Sequence, residues 1–105
     1  MSLYTPKSVD DLHDDTFNTV ARATDGVLVK LREAQIKHGL TRGWRHPPEG
    51  AKLGDGRFFT TPEDCVVALK HHLQKGDITD SIAYLMFLKE LVGGDSSEQL
   101  VKQFN

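Results

Sequence analysis

From Phe17 onward the apolar side chains fall at Phe17, Val20, Ala21, Val27, Leu28 and Leu31, with Thr24 filling the gap. Steps of three and four residues put these positions on one stripe of a helix. The helix starts either at Ser8-Val9-Asp10-Asp11, a capping-box variant with Asp in place of Glu, or after Asp14-Asp15. Gly26 weakens it by about 1 kcal/mol relative to alanine and marks a place for a kink. Gly39 is expected to end it near His38. A second helix is written more plainly. Thr61 suits the cap, Pro62 the first helical position, and Glu63 and Asp64 the positive end of the helix dipole. It should run to about Gln74 and stop at Gly76, with Val66, Leu69 and Leu73 as its apolar face and Cys65 and Ala68 adjoining.

A third helix opens around Asp77-Ile78-Thr79-Asp80, runs apolar from Ile82 to Leu88, and ends before Gly93-Gly94. Ser96 or Ser97 caps a short last helix through Leu100, Val101 and Phe104. Only Arg57-Phe58-Phe59-Thr60 has strand character. The pattern therefore predicts an all-α fold, an antiparallel bundle of about four helices. No internal repeat or low-complexity tract breaks it.

Residues 39–60 are expected to form a long connection. They hold Gly39, Gly43, Gly50, Gly54 and Gly56 with Pro47-Pro48. Connections of this length in small domains are often functional. This one is also basic, with Arg42, Arg45, Lys52 and Arg57 against Glu49 and Asp55. Arginine suits bidentate phosphate contacts and glycine allows close backbone approach, so the segment is a candidate anion cradle. Gly54-Asp55-Gly56-Arg57 is nonetheless no Walker motif, and a solvated loop is the simpler alternative. Trp44 is expected to pack onto the bundle.

The length of 105 residues fits one domain spanning 1–105, with residues 1–7 expected to be flexible. A formal net charge of −2 argues against bulk electrostatic binding to nucleic acid or to an acidic membrane. Cys65 is the only cysteine, so no intramolecular disulfide forms, and the reducing cytoplasm is the expected compartment. No apolar run approaches the roughly 20 residues that span a bilayer.

The chemistry concentrates at the junction of the second and third helices. Asp77 and Asp80 stand three residues apart, one turn apart on one helix face. His71 and His72 close the preceding helix, and adjacent helical residues diverge by about 100°, so at most one can face the acids. Asp77, Asp80 and one histidine form a site more easily than either acid does with Asp64, which lies about three turns from Asp77. Carboxylates suit Mg²⁺, and an added histidine shifts the preference toward Mn²⁺, Fe²⁺ or Zn²⁺. The alternative is structural: Asp77 as a cap, Asp80 as a dipole partner, and no metal. Cys65 reads as a small core residue rather than a nucleophile. The chain has no nucleophile elbow, zinc-type cysteine pairs or His-Glu-x-x-His.

Taken in order, Lys30-Leu31-Arg32, Lys37 with Gly43-Trp44-Arg45, Leu69 through Gly76-Asp77, and Asp80-Ser81-Ile82-Ala83-Tyr84-Leu85-Met86-Phe87-Leu88 resemble the phage-type MazG-like nucleotide pyrophosphohydrolases of the all-α NTP pyrophosphatase group. The resemblance covers roughly residues 28–91. It implies hydrolysis of an NTP or dNTP to the monophosphate and pyrophosphate, with Mg²⁺, or Mn²⁺, held by a Glu-Glu-x-x-Glu set on one helix and a Glu-x-x-Asp set on the next. Asp77 and Asp80 match the second set and become the implied catalytic and metal-binding pair. Asp64, Cys65 and Ala68 stand where the first set has three Glu, so Asp64 is its one remaining acid, or Glu63 with one residue of slippage. The resemblance further implies Lys37, Arg42 and Arg45 on the phosphates and Trp44 stacked on the base. It also implies a homodimer, which the limited core of a 105-residue bundle favours too. Loss of two carboxylates keeps the alternative open: a catalytically degenerate relative that binds a nucleotide, or a helical protein-interaction module.

Overall fold

The computed structural model describes residues 12–38 and 60–104. Four helices occupy these residues: α1 (Asp14–His38), α2 (Pro62–Gln74), α3 (Ile78–Val92) and α4 (Glu98–Gln103). The described residues contain no strand, so the fold is all-α as the periodicity predicts. The connection, with Arg42, Trp44 and Arg45, and the strand candidate up to Phe59 lie outside the described residues, as does the start of a helix at Ser8–Asp11.

Side-chain chemistry sets the helix starts. Thr61 is extended and its side chain accepts the Asp64 N–H at 3.2 Å, with Pro62 next as the first helical residue. Asp77 caps α3 and Ser97 caps α4 in the same way, by accepting the N–H of Asp80 and of Leu100. Of the two candidate serines, Ser97 is the cap. α1 begins at Asp14 with two acids in its first turn and stays helical through Gly26.

Gly76, at φ +75°, makes the turn after α2. Its N–H reaches the Leu73 carbonyl and the next N–H, from Asp77, reaches His72 O, both at 3.0 Å. Gly93, at φ +70°, ends α3 by donating to Lys89 O. Both positions need the left-handed backbone that glycine adopts without penalty.

The short turn makes α2 and α3 an antiparallel hairpin, with His72 beside Asp80 at the turn and the Cys65 thiol donating to the Tyr84 carbonyl farther along. The core lies between them: Cys65, Val66 and Leu88, with Tyr84, Phe87, Leu91, Val92 and Leu100 packed around, and Leu69 almost fully enclosed. α4 folds back on the start of α2, where the Gln99 amide donates to Glu63 at 3.0 Å.

Two burial expectations are corrected. Leu73 is exposed, because the inward line of α2 runs through Cys65, Ala68, Leu69 and then His72, and Leu73 is turned about 100° away. On α1 the predicted stripe is buried only in its middle. Val27 is buried, Thr24 and Leu31 are half-buried, and Phe17, Val20, Ala21 and Leu28 are exposed. That buried section lies next to Lys30, whose side chain reaches Asp80 at the hairpin turn.

Candidate metal and anion site at the helix junction

The site is assembled by the turn that joins α2 to α3. Asp77 must sit there as the cap: its Oδ1 accepts the Asp80 N–H at 3.3 Å, and its carbonyl accepts the Ser81 hydroxyl. One turn later Asp80 projects on the same side. From the last turn of α2, His72 Nδ1 comes to 3.3 Å from Asp77 Oδ2 and 3.6 Å from Asp80 Oδ2. The three side chains are about a fifth exposed, at 18% for His72, 24% for Asp77 and 21% for Asp80. From α1, Lys30 Nζ approaches Asp80 Oδ2 at 3.9 Å while half of its side chain stays in solvent.

A second layer fixes the histidine. The Tyr84 ring, one turn beyond Asp80, stacks on the His72 ring with centroids 4.9 Å apart and planes 26° apart. Phe87 meets Tyr84 edge-on at 6.2 Å. The Tyr84 backbone is held in turn by the Cys65 thiol at 3.3 Å. Burial pushes the Tyr84 hydroxyl up to about 12, with the charge on Asp80 adding to it, and burial alone pushes the Cys65 thiol to about 12. Neither group ionises near neutrality, so Cys65 is the core residue the sequence suggests.

The two carboxyls are driven apart. Asp77 is held down to about 2 by the hydrogen bond from the Asp80 side chain, then by the Asp80 N–H, His72 and the charge of Lys30. Asp80 keeps its proton above the ordinary carboxylate range, first through desolvation and then through the hydrogen bond and charge of Asp77. The two carboxyls therefore differ in proton affinity, Asp80 holding its proton more tightly than Asp77, and the His72 ring spans both.

Among the described residues, His72, Asp77 and Asp80 form the group of ligand-type side chains whose donor atoms lie within 4.8 Å of one another. Neighbouring ligands around a small divalent cation are about 3 Å apart, given bonds of about 2.1 Å at right angles. The 3.3 and 3.6 Å separations are close to that, so the residues fit such an ion with little movement. Two carboxylates with one imidazole favour Mn²⁺, Fe²⁺ or Zn²⁺ over Mg²⁺, which takes oxygen ligands and several waters.

The structure brings Asp77 and Asp80 together and selects His72 from the histidine pair; His71 is exposed. Asp64 is not in the group. It stands at the opposite end of α2, about 12 Å from His72 on helical rise alone. Cys65 and Ala68 are buried in the core. Lys37 is exposed, about 10 Å along α1 from Lys30. Two contributors were not assigned a role from sequence. Tyr84 had a signal, since four residues from Asp80 is the same helix face. Lys30 had none, because which turn of α1 meets α3 is decided by long-range packing.

Among the described residues, no helix is long and apolar enough to cross a membrane. Comparison of the chain with protein-family models, curated proteins and solved structures gives no match.

Proposed function

We propose that the chain binds one divalent cation through His72, Asp77 and Asp80 and, through that cation, the phosphates of a nucleotide, acting as a MazG-like domain that binds its ligand without turning it over. The observation that carries this reading is the convergence of two carboxylates and one imidazole from two helices in a half-buried corner. The binding-only form is favoured because Cys65 and Ala68 are core residues. Among the described residues no second set of carboxylates joins Asp77 and Asp80, and two-metal phosphoryl chemistry rests on such a set. Lys37, Arg42 and Arg45 are the proposed phosphate contacts and Trp44 the proposed base platform. A cytoplasmic role fits the single reduced, buried Cys65.

Hydrolysis to the monophosphate and pyrophosphate is the second reading. It is favoured by the paired carboxylates of Asp77 and Asp80 on one face at the start of α3, the acidic set that the resemblance assigns to catalysis. A cation held there supplies Lewis acidity toward a phosphoryl oxygen.

The test measures pyrophosphate release and thermal stabilisation with a panel of NTPs and dNTPs, with Mn²⁺, with Mg²⁺ and with chelator, for the wild type and Asp80→Asn. The expected result is cation-dependent stabilisation by nucleotide, lost in the variant, with no pyrophosphate. Cation-dependent pyrophosphate release that the variant loses replaces this reading with the hydrolase. Neither stabilisation nor release overturns both and leaves a helical interaction module.

A further inference from the structure

Lys30 belongs to neither the hairpin nor the ligand group, yet α1 brings its ammonium to Asp80. At 3.9 Å the contact is at the outer limit of an ion pair, and the side chain is half exposed. A lysine held this loosely on a flexible stem is free to turn to another partner. In the cation-free protein it partly balances Asp77 and Asp80. A divalent cation seated on those carboxylates supplies two positive charges at closer range and takes over that role. The lysine is then left beside a metal with no carboxylate left to neutralise.

We propose that Lys30 is the anion-binding arm of this site, and that the cation makes it available: metal first, then a phosphate-type oxyanion spanning the metal and the Lys30 ammonium across the α1–α3 contact. This rests on the cation site proposed above and adds its ligand order and the residue that enforces it. The same geometry sets the sign of the coupling. Before the cation binds, the two carboxylates repel an anion. Afterwards the metal and Lys30 both attract it, so each ligand tightens the other by the same factor.

The test is a calorimetric titration of the full chain with Mn²⁺ at neutral pH, with and without methyl phosphate, which chelates free Mn²⁺ only weakly. Wild type, Lys30→Met and Lys30→Arg are compared. In the wild type, methyl phosphate is expected to tighten Mn²⁺ binding by at least about fivefold. Lys30→Arg retains that gain. Lys30→Met binds Mn²⁺ alone at least as tightly as the wild type, since a competing cation is gone, but shows no gain from phosphate. Mn²⁺ binding in the wild type with no gain from methyl phosphate overturns the inference and leaves the cation site standing. So does a gain that survives in Lys30→Met. No saturable Mn²⁺ binding in the wild type overturns the cation site itself, and the inference with it.

Discussion

Asp77 and Asp80 lie too close to be ionised together without cost, and the fold resolves this by making them unequal. Asp77 is the cap, fixed by backbone geometry and held at about 2. Asp80 is pushed the other way, above the ordinary carboxylate range, by desolvation and then by the hydrogen bond and charge of Asp77. The consequences for stability have opposite signs. The depressed Asp77 contributes stability above the unfolded carboxylate value, roughly 4, and loses it as pH falls toward 2. Asp80, raised in the fold, contributes stability that is full below roughly 4 and is lost as pH rises through its folded value. At neutral pH in chelator, ionised Asp80 is therefore a net cost. Asp80→Asn, whose amide can still donate to Asp77 as the protonated carboxyl does, is expected to melt at or a few degrees above the wild type, with the difference vanishing near pH 4. Thermal melts across that range check this; a variant that melts well below the wild type at neutral pH in chelator would show that charged Asp80 stabilises the fold.

At the scale of the elements, the hairpin dominates. Leu69 is 1% exposed between α2 and α3, whereas Leu73, one turn later, is 44% exposed. Leu69→Ala is expected to destabilise the protein by about 2–5 kcal/mol and Leu73→Ala by under about 0.5 kcal/mol. Denaturant unfolding distinguishes them, and similar losses at both positions would contradict this packing. The helices and their caps were legible in the sequence because capping is local chemistry: Thr61, Asp77 and Ser97 each bond an N–H three residues on. Local pattern could not tell that His72, rather than Leu73, takes the inward place in the last turn. Nor could it tell that the six-residue apolar stripe of α1 is buried only around Val27, since any helix with that spacing is legible as a helix whether or not a partner covers it. The site followed the same division. The Asp77–Asp80 spacing, and the limit of one histidine of the His71–His72 pair facing it, could be read from helix geometry. Lys30 depends on how α1 is rotated against α3, and Asp64 dropped out on distance.

Over the whole molecule, α1 stands largely uncovered by the rest of the described chain, with Phe17, Val20, Leu28 and Val29 all around half exposed. Leu85 and Met86 on α3 are also exposed. Such a surface suits the homodimer proposed on grounds of resemblance and small core size. Sedimentation velocity over a concentration series is expected to show a dimer that Phe17→Asp with Val20→Asp dissociates; a monomer at every concentration would rule the dimer out. The proposed function rests less on assembly than on the junction where α1, α2 and α3 meet. The most direct measurement is a calorimetric Mn²⁺ titration of the wild type beside His72→Ala and Asp80→Asn. One Mn²⁺ per chain, weakened at least about tenfold in each variant, is the expected result. Absence of saturable binding in the wild type, or full affinity in both variants, would contradict a metal site at His72, Asp77 and Asp80.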